Sequence, residues 1–338
     1  MKTLLLLLAV ACGGGTKAPV AKPAPPAIAQ PDPACPAAGK VELPADGALR
    51  CRELPIQITF PPGTKLTRSN DRNLTLFNAE LEHGVLALIV EPRTDSPSAG
   101  EISEMLDKVA KGIAGDAVLV KTEAPPLVGA TASAQLTFTT PDGGAGVVRG
   151  YFGNHWLVAL AVGGRLASTP VRPDAPAGKA FLASLALRPL PTGTVRHALA
   201  GGAYLDIPAT AWSTGTLPRE TGVRAEWLML VPDRNLWIGV RELEPMDRCK
   251  KLLDAGDGLA VKVAELYSNA QVPLQHIARG TLGELSVYAD ATATDRNVLL
   301  SLVCTGKTVV QLSVVANQPI EKLRPTLDEL GASLVGAK

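Results

Sequence analysis

Five cysteines are the residues of this 338-residue chain most able to do chemistry: Cys12, Cys35, Cys51, Cys249 and Cys304. A thiol can pair, bind metal or attack a carbonyl. Zinc is disfavoured, because the chain has no Cys-x-x-Cys and no histidine at ligand spacing from any cysteine. Catalytic spacings are also missing. There is no Gly-x-Ser-x-Gly and no His-Glu-x-x-His. Gly306-Lys307-Thr308 suggests a phosphate loop, but that motif needs a glycine five residues earlier, where Ser301 stands, and a helix to follow. Four histidines (His83, His155, His197, His276) are scattered, and His155 sits in an Asn-His-Trp bend where a solvated turn is the expected role. Asp247, Asp254 and Asp257 do not match a calcium-loop spacing and read as a solvated helix face. Of the tryptophans, Trp237 lies in a core-like strand, while Trp212 lies in a loop-like stretch and is the better binding anchor. No cofactor and no metal is called for.

The elements around the cysteines give them other work. Lys2 precedes an apolar run from Leu4 to Ala11. A membrane-spanning helix needs roughly 20 residues, whereas a secretory signal needs roughly 7–15 behind a positive start. The run fits the signal. Leu8-Ala9-Val10-Ala11-Cys12 resembles a bacterial lipoprotein lipobox, departing from it at Ala9, where leucine is commonest. The resemblance implies removal of residues 1–11 and lipidation of Cys12, which fastens the chain to a membrane; several acyl chains hold where one is marginal. Gly13 is not the aspartate that retains such proteins at the inner membrane, so the outer membrane is favoured, facing the periplasm. Residues 12–34 are rich in Gly, Ala and Pro and have no apolar period. Such a segment cannot offset its ordering entropy and reads as a tether. With Cys12 acylated, four cysteines remain, and export permits disulfides. Sequence alone allows three pairings; proximity favours Cys35–Cys51 and Cys249–Cys304.

The rest of the chain reads as one pattern written twice, over residues 35–190 and 191–338. Apolar runs end in Glu91-Pro92 and in Glu244-Pro245. Hairpins follow: Gln135–Thr140, Gly144–Phe152 and Gly153–Gly164 in the first half, with Leu285–Thr294, Arg296–Cys304 and Gly306–Asn317 in the second. A helix follows each Glu-Pro. The first carries a Ser98-x-x-Glu101 capping box and Ile102, Met105, Leu106, Val109 and Ile113 at helical spacing. The second carries Leu252, Leu253, Leu259, Val263 and Leu266. Closing helices are expected at Asp174–Leu187 and Ile320–Leu334, with Pro325 near the start of the latter.

Strand runs with helices on an antiparallel sheet make an α+β architecture of two tandem repeats. The order resembles the Mog1/PsbP-like fold, with Ile56–Phe60 and Leu74–Pro92 as an opening strand pair and Tyr204–Pro208 as the counterpart of Ile58–Pro61. That resemblance implies binding without catalysis. The charge balance of 33 basic against 32 acidic residues shows no basic stripe and argues against nucleic acid. The expected function is a non-catalytic binding or assembly module of the bacterial cell envelope with a protein partner. A carrier of an apolar ligand or lipid, and an enzyme without a recognisable motif, are the alternatives.

Overall fold

The computed structural model describes residues 33–71, 74–79, 81, 84–169, 171–213, 223–243, 286–292, 297–305 and 308–335. Cys12, the signal and nearly all of the tether, Cys249, the expected helix around Leu252–Leu266, Glu244-Pro245, His83, His276 and the three aspartates lie outside them. All the described residues belong to one compact unit.

Valine, leucine and isoleucine runs separated by Gly, Asn and Asp bends become strands, and every described pairing is antiparallel. The first sheet has eight strands. In spatial order they are β1 (Gly39–Val41), β4 (Leu66–Asp71), β5 (Leu74–Ala79), β6 (Gly84–Pro92), β10 (Trp156–Gly164), β9 (Ala145–Gly153), β8 (Ala132–Thr139) and β7 (Val118–Thr122). The second sheet has six: β14 (Trp212–Ser213), β15 (Val223–Val231), β16 (Leu236–Leu243), β19 (Thr308–Ala316), β18 (Asn297–Thr305) and β17 (Ser286–Thr292). The order β4-β5-β6-β10-β9-β8 in one sheet matches β14-β15-β16-β19-β18-β17 in the other.

Both faces of the first sheet are covered, which is why β10 is apolar and buried along its whole length. Helix α1 (Ala99–Ala114) covers one face. Its start is fixed by the capping box: Glu101 N–H donates to Ser98 Oγ, and Ser98 N–H donates to Glu101 Oε2. The residues it buries deepest, Ile102, Leu106, Ala110 and Ala114, recur every fourth position and meet Ala87, Ile89, Val148 and Ala159. Met105, Val109 and Ile113 flank that stripe. Gly150 on β9 lets the helix come close, since a Cβ there would lie 2.7 Å from Ile102 Cγ2.

The opposite face packs on helix α2 (Pro176–Ala183) and a small sheet of β2 (Ala48–Arg50), β3 (Ile56–Thr59) and β11 (Ala186–Leu187). Two expectations are corrected here. Ile56–Thr59 pairs with β2 and β11 rather than opening the main sheet beside Leu74–Ala79. The helix expected over Asp174–Leu187 is shorter: Pro176 starts it, and the chain straightens after Ser184 because Leu187 pairs with Ile56.

In the second half, helix α3 (Ile320–Ser333) places Leu323, Leu327 and Leu330 on one face of the six-stranded sheet, with Pro325 inside the helix. The hairpin of β12 (Thr194–Ala198) and β13 (Tyr204–Pro208) packs beside it through Leu205 and Ile207. Tyr204 and Val335 exchange backbone hydrogen bonds, which ties the hairpin to the end of the helix.

Candidate interaction site

Two tryptophans reverse the roles expected of them. Trp212, from the edge of the second sheet, is 1% exposed and belongs to the core of the first. Its ring meets Trp156 edge-on at 5.0 Å. Trp237, expected in the core, is half-buried and lines a surface notch. A loop-like stretch carries no period, so only the partners brought by the other sheet decide where its large ring goes.

Within the core, Trp212 packs on Arg68. The Arg68 side chain comes from β4 and its guanidinium lies 5.0 Å from the Trp212 ring centroid and 5.8 Å from that of Phe77. The residue is 8% exposed. Nη1 donates to the Pro36 carbonyl and Nε to Asn70 Oδ1 at 3.3 Å. Burial pulls the Arg68 pKa down, opposed by the charge of Glu53, yet a guanidinium stays charged. A hydrogen bond to such a charge contributes about 1.5–3 kcal/mol.

A separate surface rim is formed by the end of β6 and the loop after it. Glu91, Pro92, Arg93, Thr94 and Asp95 face Leu230 and Trp237 across a notch of about 360 Å³. Arg93 and Asp95 form a two-pronged pair, Nε to Oδ1 and Nη2 to Oδ2, each at 2.8 Å, and Nη1 reaches Glu91 Oε1 at 3.4 Å. The hydrogen bond from Arg93 holds the Asp95 carboxyl below its usual range, and the same bond raises Arg93. Tryptophan and arginine are among the residue types that anchor protein interfaces. The hairpin turn of Asn154 and His155, both at positive φ, is tied to this rim: Arg93 N–H donates to the His155 carbonyl at 2.8 Å.

Cys35 and Cys51 are joined by a disulfide. Cys304, buried on β18, is also disulfide-bonded, and its partner lies outside the described residues. Glu53 lies against the first pair, but two bonded sulfurs leave no thiolate for a metal. Thr308 opens strand β19 and pairs with Thr305, so a strand and not the helix of a phosphate loop begins at Thr308. An apolar notch of about 330 Å³ lies between Phe60-Pro61-Pro62 and Ala177, Ala180 and Phe181, at the small end of ligand pockets.

His197 is a residue for which sequence reasoning assigned nothing. It sits on β12 with its ring edge-on to Trp227 at 4.8 Å, and Nε2 has no hydrogen-bond partner among the described residues. Burial lowers its pKa from 6.5. The unfolded chain therefore takes up this proton at higher pH than the folded one, so acid favours unfolding. Unfolding free energy should fall between about pH 7 and pH 5. His197→Phe should flatten that fall; denaturant titrations of both proteins at the two pH values check it.

No protein-family model and no curated protein matches the chain. Solved structures that overlap it include the Pseudomonas aeruginosa MucA/MucB complex (11% identity, TM-score 0.19, 81% of this chain and 88% of that one) and MucB in complex with MucA(peri) (12%, 0.20, 82% and 90%). Overlap at these scores leaves the fold and function to be read from this chain's own residues.

Proposed function

We propose that this chain is an exported, lipid-anchored binding or assembly module of the bacterial cell envelope, without catalysis of its own. In this reading residues 1–11 are removed, Cys12 carries the lipid, and residues 12–34 space the body from the membrane, with the outer membrane favoured. The body is two tandem copies of one Mog1/PsbP-like fold, a reading supported by the matching strand order of the two sheets. The observation that carries the export reading is the state of the thiols. Each of the cysteines among the described residues, Cys35, Cys51 and Cys304, is disulfide-bonded, which belongs to an oxidising compartment. The partner is an envelope protein that docks on the Trp237–Arg93 rim. Binding fits the rim better than catalysis does: the charged groups of Glu91, Arg93 and Asp95 are occupied by one another, and Trp237 stands beside them.

The anchor is tested by growing cells with a fatty-acid analogue. The wild-type chain should be labelled and sediment with membranes, and Cys12→Ala should be unlabelled and released. Equal labelling of the two removes the anchor. Crosslinking from Trp237 or Arg93 in the acylated protein should then capture one defined envelope protein, and capture of extractable lipid in its place would favour the carrier.

A further inference from the structure

We propose that the Cys35–Cys51 disulfide is the clasp of a redox-sensitive strap that locks the second sheet onto the first. The links run contact by contact from sulfur to tryptophan. Cys35 is bonded to Cys51, its N–H donates to Glu53 Oε2 at 2.7 Å, and Arg52 N–H donates to the Pro33 carbonyl at 2.9 Å. These contacts hold residues 33–36 as a strap across the body. The next residue after Cys35, Pro36, gives its carbonyl to Arg68 Nη1. Arg68 in turn lies beneath Trp212, the wedge from the second sheet.

The strap matters because Arg68 has few alternatives. No carboxylate among the described residues makes an ion pair with it, and Glu53 acts on it only at longer range. Its charge is held by one carbonyl, by Asn70 Oδ1 and by two ring faces. When Pro36 moves, a buried cation loses a hydrogen bond that nothing else replaces, so the guanidinium turns to water and leaves the Trp212 ring.

The chemistry is ordinary thiol–disulfide exchange with a dithiol. Cys35 is half-buried and Cys51 is buried. The dithiol's thiolate therefore attacks Cys35 Sγ, the S–S bond breaks, and Cys51 leaves as thiolate and takes a proton. The dithiol's second sulfur then displaces Cys35, which also takes a proton. The protein gains two electrons and two protons, and the dithiol becomes a disulfide. This inference rests on the junction alone and stands whether or not the chain is exported.

The test is hydrogen exchange followed peptide by peptide in the full chain. Cys35→Ser/Cys51→Ser leaves the Cys304 disulfide in place. It should speed exchange at Trp212–Ser213 and β15 by about tenfold, through local opening, while β10 keeps its protection. Arg68→Gln, with the disulfide intact, should do the same, and it decides the matter if the serine variant does not fold. Unchanged exchange at β14 and β15 in either folded variant overturns the proposal. So does equal loss of protection in both sheets, which would make the disulfide a general staple and not a clasp.

Discussion

Replacing Trp212 by alanine should lower the unfolding free energy by about 3–5 kcal/mol, the usual cost of deleting a large buried aromatic side chain. The site cannot collapse easily. Trp156, also buried, stands at 5.0 Å on one side, and the Arg68 guanidinium at 5.0 Å on another. Emptying the space leaves a cavity next to a buried cation that has lost a ring face. Trp212→Phe should behave differently. The indole N–H is buried and has no acceptor among the described residues. Phenylalanine therefore gives up no hydrogen bond, keeps an aromatic face for Arg68, and should cost under about 1.5 kcal/mol. Guanidinium unfolding of the three proteins, followed by far-ultraviolet circular dichroism, separates the cases. An alanine variant as stable as the wild type would mean that the ring is not the wedge between the sheets.

How far the sequence forecast this junction depends on whether the deciding contact was local. Helix α1 was legible because Ser98 and Glu101 fix its start within four residues and its apolar stripe repeats within one helix. The long strands β6, β9, β10, β16, β18 and β19 were legible as apolar runs between turn residues. Trp212 was not, since what buries it is Arg68 and Trp156, more than 50 residues away in the chain. Ile56–Thr59 alternates as a strand should, but nothing in it names β2 and β11 as partners rather than β5. Val118–Thr122 went unread because it is an edge strand whose Val118 and Val120 are exposed, so it lacks the half-buried alternation that marks a strand.

The repeat itself shows the same limit. Aligning Glu91-Pro92 with Glu244-Pro245 is natural by eye. The ladders give a different alignment: Val90 stands opposite Val158, and Glu242 stands opposite Val310, with Trp156 and Thr308 opening the equivalent strands. Glu242 is therefore the counterpart of Val90, one residue away from the alignment by eye. In a strand, one residue decides which face a side chain takes.

That shift puts a carboxylate where the first sheet has a core valine, and it leads to the second large effect. Glu242 is 0% exposed, and neither carboxylate oxygen has a hydrogen-bond partner among the described residues. Arg224 is its ion-pair partner at 3.6 Å, from a side chain 40% exposed. The backbone also crowds it, since a Cβ on Gly201 would lie 2.2 Å from Glu242 Oε1. A buried charge with one loose partner costs more in lost hydration than its attraction returns, and apolar replacement of such pairs stabilises by about 1–4 kcal/mol. Glu242→Val, which copies the first sheet, should raise the unfolding free energy within that range. Arg224→Ala should lower it by about 3–5 kcal/mol, because it strands the carboxylate. The double variant should match Glu242→Val alone, since Arg224 has nothing left to neutralise. Urea titrations of the four proteins test the cycle. A loss of stability in Glu242→Val would mean that the carboxylate is satisfied by a group beyond Arg224. A gain would mark Glu242 as a residue kept at a cost to stability, and chains violate packing rules of this kind mainly at functional positions. The Glu242→Val protein, being at least as stable as the wild type, is then the variant in which a lost partner can be attributed to the missing charge and not to unfolding.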